Sequence, residues 1–245
     1  MKLAVIADIH GNDLALKAVL ADIKKHGISD IVNLGDCLSG PLNAAKTADI
    51  LIKHDFPTIR GNHDRYLIEQ KLEDMGPSDA CSYAQLEQHH IDWLRSLPET
   101  LIYHDDIFLC HSTPESDTTY WMERITDNAE IVSRTRKEIQ EHAKGIDCSL
   151  ILCGHTHLPR TCKFTNGQML VNPGSVGCPG YDDDQPIYHK VQTGHPNASY
   201  AIVEKSTLGW DVTFRQIAYD HMKMSELAGQ NGRPEWASAL ATGWL

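Results

Sequence analysis

No stretch of this sequence is apolar for long enough to cross a bilayer, which takes about 20 residues in a helix; the first apolar run, residues 3–7, is broken by Asp8. That run is also too short for a secretory leader and its cleavage site, so the expectation is a cytoplasmic protein with no membrane partner. Basic charge is scarce. Only 22 Lys and Arg stand against 33 Asp and Glu, a net charge of -11, which gives no general attraction to a nucleic-acid backbone and disfavours a large nucleic-acid partner. A phosphate-bearing substrate would then need a local reversal of the field, which bound divalent cations supply. None of the seven cysteines forms a Cys-x-x-Cys pair, so the motif of a zinc ribbon or a dithiol redox centre is missing and free thiols are expected. Internal repeats and low-complexity tracts are also lacking.

What is present is enough for a full core: 245 residues, 41% of them hydrophobic, predict one α/β domain over residues 1–245. Residues 3–7 read as a strand buried on both faces. Leu16, Val19, Leu20 and Ile23 then recur at helical spacing after Asn12 and Asp13, and Gly27 marks the stop. The pattern repeats with Ile31-Val32-Asn33-Leu34 leading into Gly35-Asp36, a helix over 44–54, and a run at 57–59 leading into Gly61-Asn62-His63-Asp64. Such alternation predicts a parallel or mixed sheet covered by helices.

A helix over 82–97, strands over 100–103 and 107–110, a polar helix over 128–144 and a strand over 149–153 are predicted next. Short strands at 161–164, 169–172, 200–203 and 210–214 then follow without helices between them, which predicts a second sheet packed on the first. Residues 178–196, rich in Gly, Pro, Asp and His, read as a long surface loop. The C-terminal residues 232–245, with Trp236, Leu240 and Trp244, are expected to pack on the core or on a partner subunit, so a homo-oligomer stays open.

Metal-ligating residue types recur just after the strand-like runs: Asp8 and His10, Asp36, Asn62 and His63, His111, then His155 and His157. Strand C-terminal ends are where loops converge in α/β sheets, so these distant residues can meet. Imidazole suits transition metals while carboxylate and amide oxygens fill the harder positions, a donor mix fit for two divalent ions. Any one motif alone also reads as an ordinary turn; their order and joint presence carry the argument. His89, His90 and His142 lie in helix-like segments and read as solvated surface residues.

In this order, Asp-x-His, Gly-Asp, Gly-Asn-His-Asp, His and Gly-His-x-His, the motifs resemble those of the calcineurin-like metallophosphoesterase superfamily, over residues 1 to about 177. The resemblance implies two packed mixed β-sheets flanked by helices, an α/β/β/α sandwich. It also implies that Asp8, His10 and His157 hold one divalent ion, that Asn62, His111 and His155 hold the other, and that Asp36 bridges them; Mn, Fe, Co, Ni and Zn all tolerate such ligands. His63 is implied as the proton donor to the leaving group. Asp64 either fixes the His63 ring by a hydrogen bond or caps the following helix. Asn12 and Arg60 flank the motifs as candidates for phosphate contact. Residues 172–177, Asn-Pro-Gly-Ser-Val-Gly, resemble a segment of small prokaryotic members and read as a loop shaped by Pro and Gly.

Two cations about 3.5–4 Å apart can hold phosphoryl oxygens and lower the pKa of a bridging water, giving a hydroxide nucleophile for a phosphoester. The phosphoprotein phosphatases and diadenosine tetraphosphatases of the superfamily carry an arginine soon after Gly-Asp and typically Gly-Asn-His-Glu. Here Gly35-Asp36-Cys37-Leu38-Ser39 has no arginine and residue 64 is Asp. That points to the smaller prokaryotic-type phosphodiesterases, with a phosphodiester or small nucleotide as substrate; Tyr120, Trp121, Tyr181 and Tyr188 are candidate stacking surfaces for a nucleobase. The alternatives are a phosphomonoesterase, a protein phosphatase or a dinucleoside polyphosphate hydrolase, a non-catalytic interaction protein on the same fold, and a zinc hydrolase of carbon esters. Ser112, where many relatives place glycine, is expected to narrow the approach to the metals.

Overall fold

A computed structural model describes residues 1–245. Strand β1 (Lys2–Ile6) opens the chain, and its side chains alternate between two cores as a period of two requires: Leu3 and Val5 face one, Ala4 and Ile6 the other. Helix α1 (Asp13–Lys25) starts where the Asn12 side chain accepts the Ala15 amide, and the chain turns at Gly27 with φ +67°. β2 (Ile31–Asn33) and α2 (Ala44–His54) repeat the unit. The run at 57–59 forms only an isolated bridge, Asn33 to Thr58.

Three helices follow: α3 (Asn62–Glu69), α4 (Pro77–Tyr83) and α5 (Gln88–Ser96). The helix expected over 82–97 is thus broken. The Glu87 amide, at the start of α5, donates to His90 Nδ1 and so begins a new helix rather than continuing the old one. His90 is correspondingly buried, against the surface placement expected for it.

β3 (Thr100–Tyr103) and β4 (Ile107–Cys110) lead to a two-stranded ribbon, β5 (Glu123–Ile125) and β6 (Ile131–Ser133), and a short α6 (Arg136–Glu141). The helix expected over 128–144 is therefore confined to its second half. Thr135 and Glu138 form a reciprocal capping box that starts the helix at Arg136, leaving Ile131–Ser133 free to pair with β5.

β7 (Leu150–Leu152), β8 (Arg160–Lys163) and β9 (Met169–Asn172) precede a hairpin of β10 (Gly180–Asp183) and β11 (His189–Gln192). The stretch expected as a loop is thus ordered by four antiparallel residue pairs. Long strands β12 (Ala198–Ser206) and β13 (Gly209–Ile217) and helices α7 (His221–Gln230) and α8 (Pro234–Thr242) complete the chain.

One sheet has the order β13-β12-β1-β2 and the other β3-β4-β7-β9-β8. Both are mixed: β1–β2 and β4–β7–β9 are parallel, while β1–β12, β12–β13, β3–β4 and β8–β9 are antiparallel. Leu3, Val5 and Leu34 from the first meet Leu109, Leu152 and Val171 from the second in a fully buried layer. Outside the first sheet lie α1 and α2, packed on Ile6 and Tyr200; outside the second, Ile151 and Leu170 pack on Trp121 and Ile139 of α6. This is the α/β/β/α sandwich. The C-terminal helices fold back on the same chain, with Trp236 and Leu240 against Leu42, Cys178 and Met224. No helix is long and apolar enough to cross a membrane, and all seven cysteines are free.

Candidate metal centre

The parallel strands deliver their following residues to one end of the sandwich. Asp8 and His10 follow β1, Asp36 follows β2, His111 follows β4 and His155 and His157 follow β7, while Asn62 and His63 open α3. Asp8, His10, Asp36, His155 and His157 all adopt left-handed φ values, between +50° and +69°, and they are five of only nine non-glycine residues that do. Each such residue costs about 1–2 kcal/mol, so the strain is concentrated where side chains must be aimed.

Asp8, His10 and His157 place their ligating atoms within 4.8 Å of one another, and so do Asp36, His111 and His155. The Asp36 carboxylate joins the two groups: its Oδ2 lies 3.3 Å from His111 Nε2 and 3.8 Å from His10 Nε2. It therefore stands between the two triads.

The donor chemistry fits cations. His10 Nδ1 lies 2.7 Å from the Ser39 carbonyl, His111 Nδ1 2.7 Å from that of Leu34, and His157 Nδ1 2.8 Å from that of Cys178. A carbonyl only accepts, so each Nδ1 carries the proton and, in a neutral ring, each Nε2 presents a lone pair to the centre. His155 is held the other way round, Nε2 to the Thr118 carbonyl at 3.0 Å, which leaves Nδ1 free. His10 Nε2 and His157 Nε2 face each other at 3.2 Å, two lone pairs that repel unless a positive charge lies between them. His111 Nε2 and Asn62 Oδ1 are buried without a hydrogen-bond partner, as atoms meant for a cation would be.

Electrostatics divide the candidate ligands: burial works against a charge on His111, but Asp36 and Asp8 raise it to about 10. Burial, with the neighbouring Asp36, pushes the Asp8 carboxyl up to about 8. Asp36 is buried too, but the His111 and His63 rings beside it hold it well below the usual carboxylate range. Burial lowers His10 to about 4 and His155 to about 3, and takes His157 well below its ordinary value, so these rings are neutral as ligation requires. For His63 burial works against the charge, but Asp36 and Asp79 raise it to about 9.

The partner of His63 corrects one expectation. Asp64 does not reach the ring: its carboxylate accepts the amides of Asp36 (2.7 Å), Cys37 (2.9 Å) and Gly61 (3.0 Å), because it sits inside the first turn of α3 facing the β2 loop. Asp79 of α4 lies 2.9 Å from His63 Nδ1 instead. Nothing in the sequence around Gly76-Pro77 singles Asp79 out. Asn12 is likewise corrected, being wholly buried with its amide donated to the Gly177 carbonyl and the Tyr219 hydroxyl. Arg60 is drawn to Glu99, away from the ligands.

The loop at 172–177 braces the centre. Asn172 donates to the Gly154 carbonyl and Thr156 hydroxyl, Ser175 Oγ to the Asp8 carbonyl, and the Gly177 amide to the same carbonyl. A Cβ at Gly177 would stand 1.7 Å from the Ile9 carbonyl oxygen. Ser112 points off to the Thr119 carbonyl and does not narrow the approach.

A cavity of about 750 Å³ opens over the ligands. Tyr120 and Tyr181 line it, but their hydroxyls bond each other at 2.7 Å and their rings pack edge-on against His155 and His157. They brace imidazoles. Trp121 is core and Tyr188 lies outside the cavity, exposed. Trp236 of α8, packed on His10, and Arg124, Arg134 and Arg233 also line the cavity and carry no motif by which the sequence would reveal them. A third cluster joins Asp49 of α2 to His89 and the buried His90 of α5. There His90 Nδ1 accepts the Glu87 amide, so its Nε2 carries the proton and donates to Asp49 at 3.2 Å, leaving no lone pair for an ion.

The two-sheet sandwich with adjoining Asp/His triads at its strand exits is the arrangement that the motif resemblance to metallophosphoesterases implies. The sequence model of the calcineurin-like phosphoesterase superfamily domain matches residues 1–204, and the chain belongs to that superfamily. It is similar to the uncharacterized protein MJ0912 of Methanocaldococcus jannaschii, 26% identical and covering 96% of this chain and 94% of that one. It is also similar to the crystal structure of a metallophosphoesterase from Sphaerobacter thermophilus, 25% identical with a TM-score of 0.75, over 99% of this chain and 100% of that one.

Proposed function

We propose that this protein hydrolyses a small phosphodiester at a two-metal centre held by Asp8, His10, His157, Asn62, His111 and His155 with Asp36 shared. The observation that carries the reading is Asp36 Oδ2 lying against both His10 and His111 while the opposed Nε2 atoms of His10 and His157 lack a proton between them. Divalent cations bound there would supply Lewis acidity and an activated water.

The chain's own residues do the rest. Asp64 fixes the backbone of Asp36 and Gly61, and Gly61 in turn must be glycine, since a Cβ would lie 2.1 Å from Asp36 Oδ1. His63, half-buried on the cavity wall and anchored through Nδ1 to Asp79, turns Nε2 towards the space where a leaving oxygen departs and gives it a proton. A diester is favoured over a monoester because Gly35-Asp36-Cys37-Leu38-Ser39 carries no arginine, whereas the phosphatases the chain resembles place a guanidinium clamp soon after Gly-Asp. Trp236 and Tyr181 close the walls around the imidazoles and limit water.

The test is turnover of bis(p-nitrophenyl) phosphate, p-nitrophenyl phosphate and p-nitrophenyl acetate by purified protein with added Mn, Co, Ni or Zn. Metal-dependent cleavage of the diester first, lost by about 10²-fold or more in His63→Ala and in Asp36→Asn, is expected. Faster acetate cleavage, or undiminished activity in both variants, overturns the reading.

A further inference from the structure

Six of the nine arginines are ion-paired: Arg60, Arg65, Arg95, Arg160, Arg215 and Arg233. Of the remaining three, two line the cavity over the candidate metal centre, Arg124 and Arg134, in a chain that has 33 carboxylates to pair them with. Arg134 is held in place. Its Nε donates to the Glu123 and Tyr120 carbonyls at 2.9 and 3.2 Å and its main-chain N–H to the Met122 carbonyl at 2.9 Å, so the terminal amines are oriented yet have no protein partner.

Arg124 comes from the same ribbon, opposite Val132. Strand side chains alternate, so Glu123 turns inward to Arg160 while Arg124 turns the other way, into the cavity. Guanidinium forks match the oxygens of phosphate. The other ribbon on the cavity wall, β10–β11, presents Asp182 and Asp183, which already accept bonds from the Tyr188 hydroxyl and the Gln185 amide. One ribbon attracts an anion and the other repels it.

We propose that Arg124 and Arg134 form a second anion subsite, and that the substrate is a phosphodiester carrying a further phosphate beyond the ester that is cleaved. The subsite rests on the hydrolase reading above. The two probes are thymidine 5′-(p-nitrophenyl phosphate) and its 3′-phosphorylated form, which differ by that phosphate alone. The protein should prefer the 3′-phosphorylated probe in kcat/KM by about tenfold or more at low salt, chiefly through KM. Raising the ionic strength should shrink the ratio, Arg124→Gln with Arg134→Gln should bring it near one, and Arg134→Lys should restore only part, as a point charge lacks the fork.

A ratio near one in the parent protein overturns the subsite, as does a preference that survives the double substitution in a variant of native circular dichroism. If bis(p-nitrophenyl) phosphate is cleaved and neither thymidine probe is, the subsite alone falls. If none of the three is cleaved, the hydrolase reading falls and takes the subsite with it.

Discussion

Exchanging Asp64 and Asp79 for asparagine, one at a time, separates holding the site together from acting within it. Asp64 receives three buried backbone N–H groups, those of Asp36 and Gly61 on Oδ2 and that of Cys37 on Oδ1. In Asp64→Asn one of those oxygens becomes an NH2 facing a donor, so one or two amides lose their acceptor. At about 1–3 kcal/mol for each stranded group, the loss is about 1–6 kcal/mol, and at about 2–4 °C per kcal/mol for a chain of this size a mid-range loss of about 3 kcal/mol lowers the Tm by roughly 6–12 °C. Asp79→Asn keeps an acceptor beside His63 and strands no backbone group, so its Tm should stay within about 2 °C while kcat falls about 10- to 100-fold as the His63 ring loses its charged anchor. Thermal unfolding by circular dichroism in a chelator, with kcat on bis(p-nitrophenyl) phosphate, reads both. A stable Asp64→Asn with a melted Asp79→Asn would refute the assignment of the two carboxylates.

Saturating the centre with Mn or Co should raise the Tm, because ligand at about 100 times its Kd adds about 2.7 kcal/mol; a Tm indifferent to metal and chelator alike would count against a cation site. Gly61→Ala should preserve the far-ultraviolet spectrum and weaken cation binding by about tenfold or more, since the new methyl collides with Asp36 Oδ1; calorimetric titration with parent-like affinity would contradict it. Asp106 is partly buried, and bonds from Lys205 and Ser149 overcome that burial and depress its carboxyl to about 2. A depressed acid stabilises the fold above its unfolded pKa, so on the order of 1 kcal/mol after solvent screening should be present above about pH 5 and vanish between about pH 4 and pH 2. Asp106→Asn should flatten that part of the denaturant midpoint against pH.

The strands and the gathering of Asp and His at their exits were legible in the sequence for one reason. Residues 3–7 and 150–153 are apolar without a break and 31–34 with only Asn33 between, as two-sided burial demands, and each is followed within a few positions by Asp or His whose only local excuse is a turn. Helix α2 was legible over its full length, Ala44–His54. Where reading failed, a local device or a distant partner decided. The amide-to-imidazole cap at Glu87 and the capping box at Thr135 moved helix starts that periodicity alone smeared. The hairpin β10–β11 hides in a composition of Gly, Asp and Pro because its order comes from cross-strand pairing. Arg124 and Arg134 of the β5–β6 ribbon and Trp236 of α8 line the cavity, and Asp79 of α4 reaches His63, but nothing in their neighbours along the chain marks them. Asn12 and Arg60 failed in the opposite sense: nearness to a motif put them beside the ligands, but Gly177, Tyr219 and Glu99 hold them elsewhere.

The two triads divide their donors between the sheets. Asp8 and His10 leave the first sheet while His157 leaves the second, and Asp36 leaves the first while His111 and His155 leave the second. An ion in either triad is therefore a rivet through both layers of the sandwich. Stripping it loosens the seam between them at one end, so amide exchange should quicken together at the exits of β1, β2, β4 and β7 and leave the far end of the seam closed.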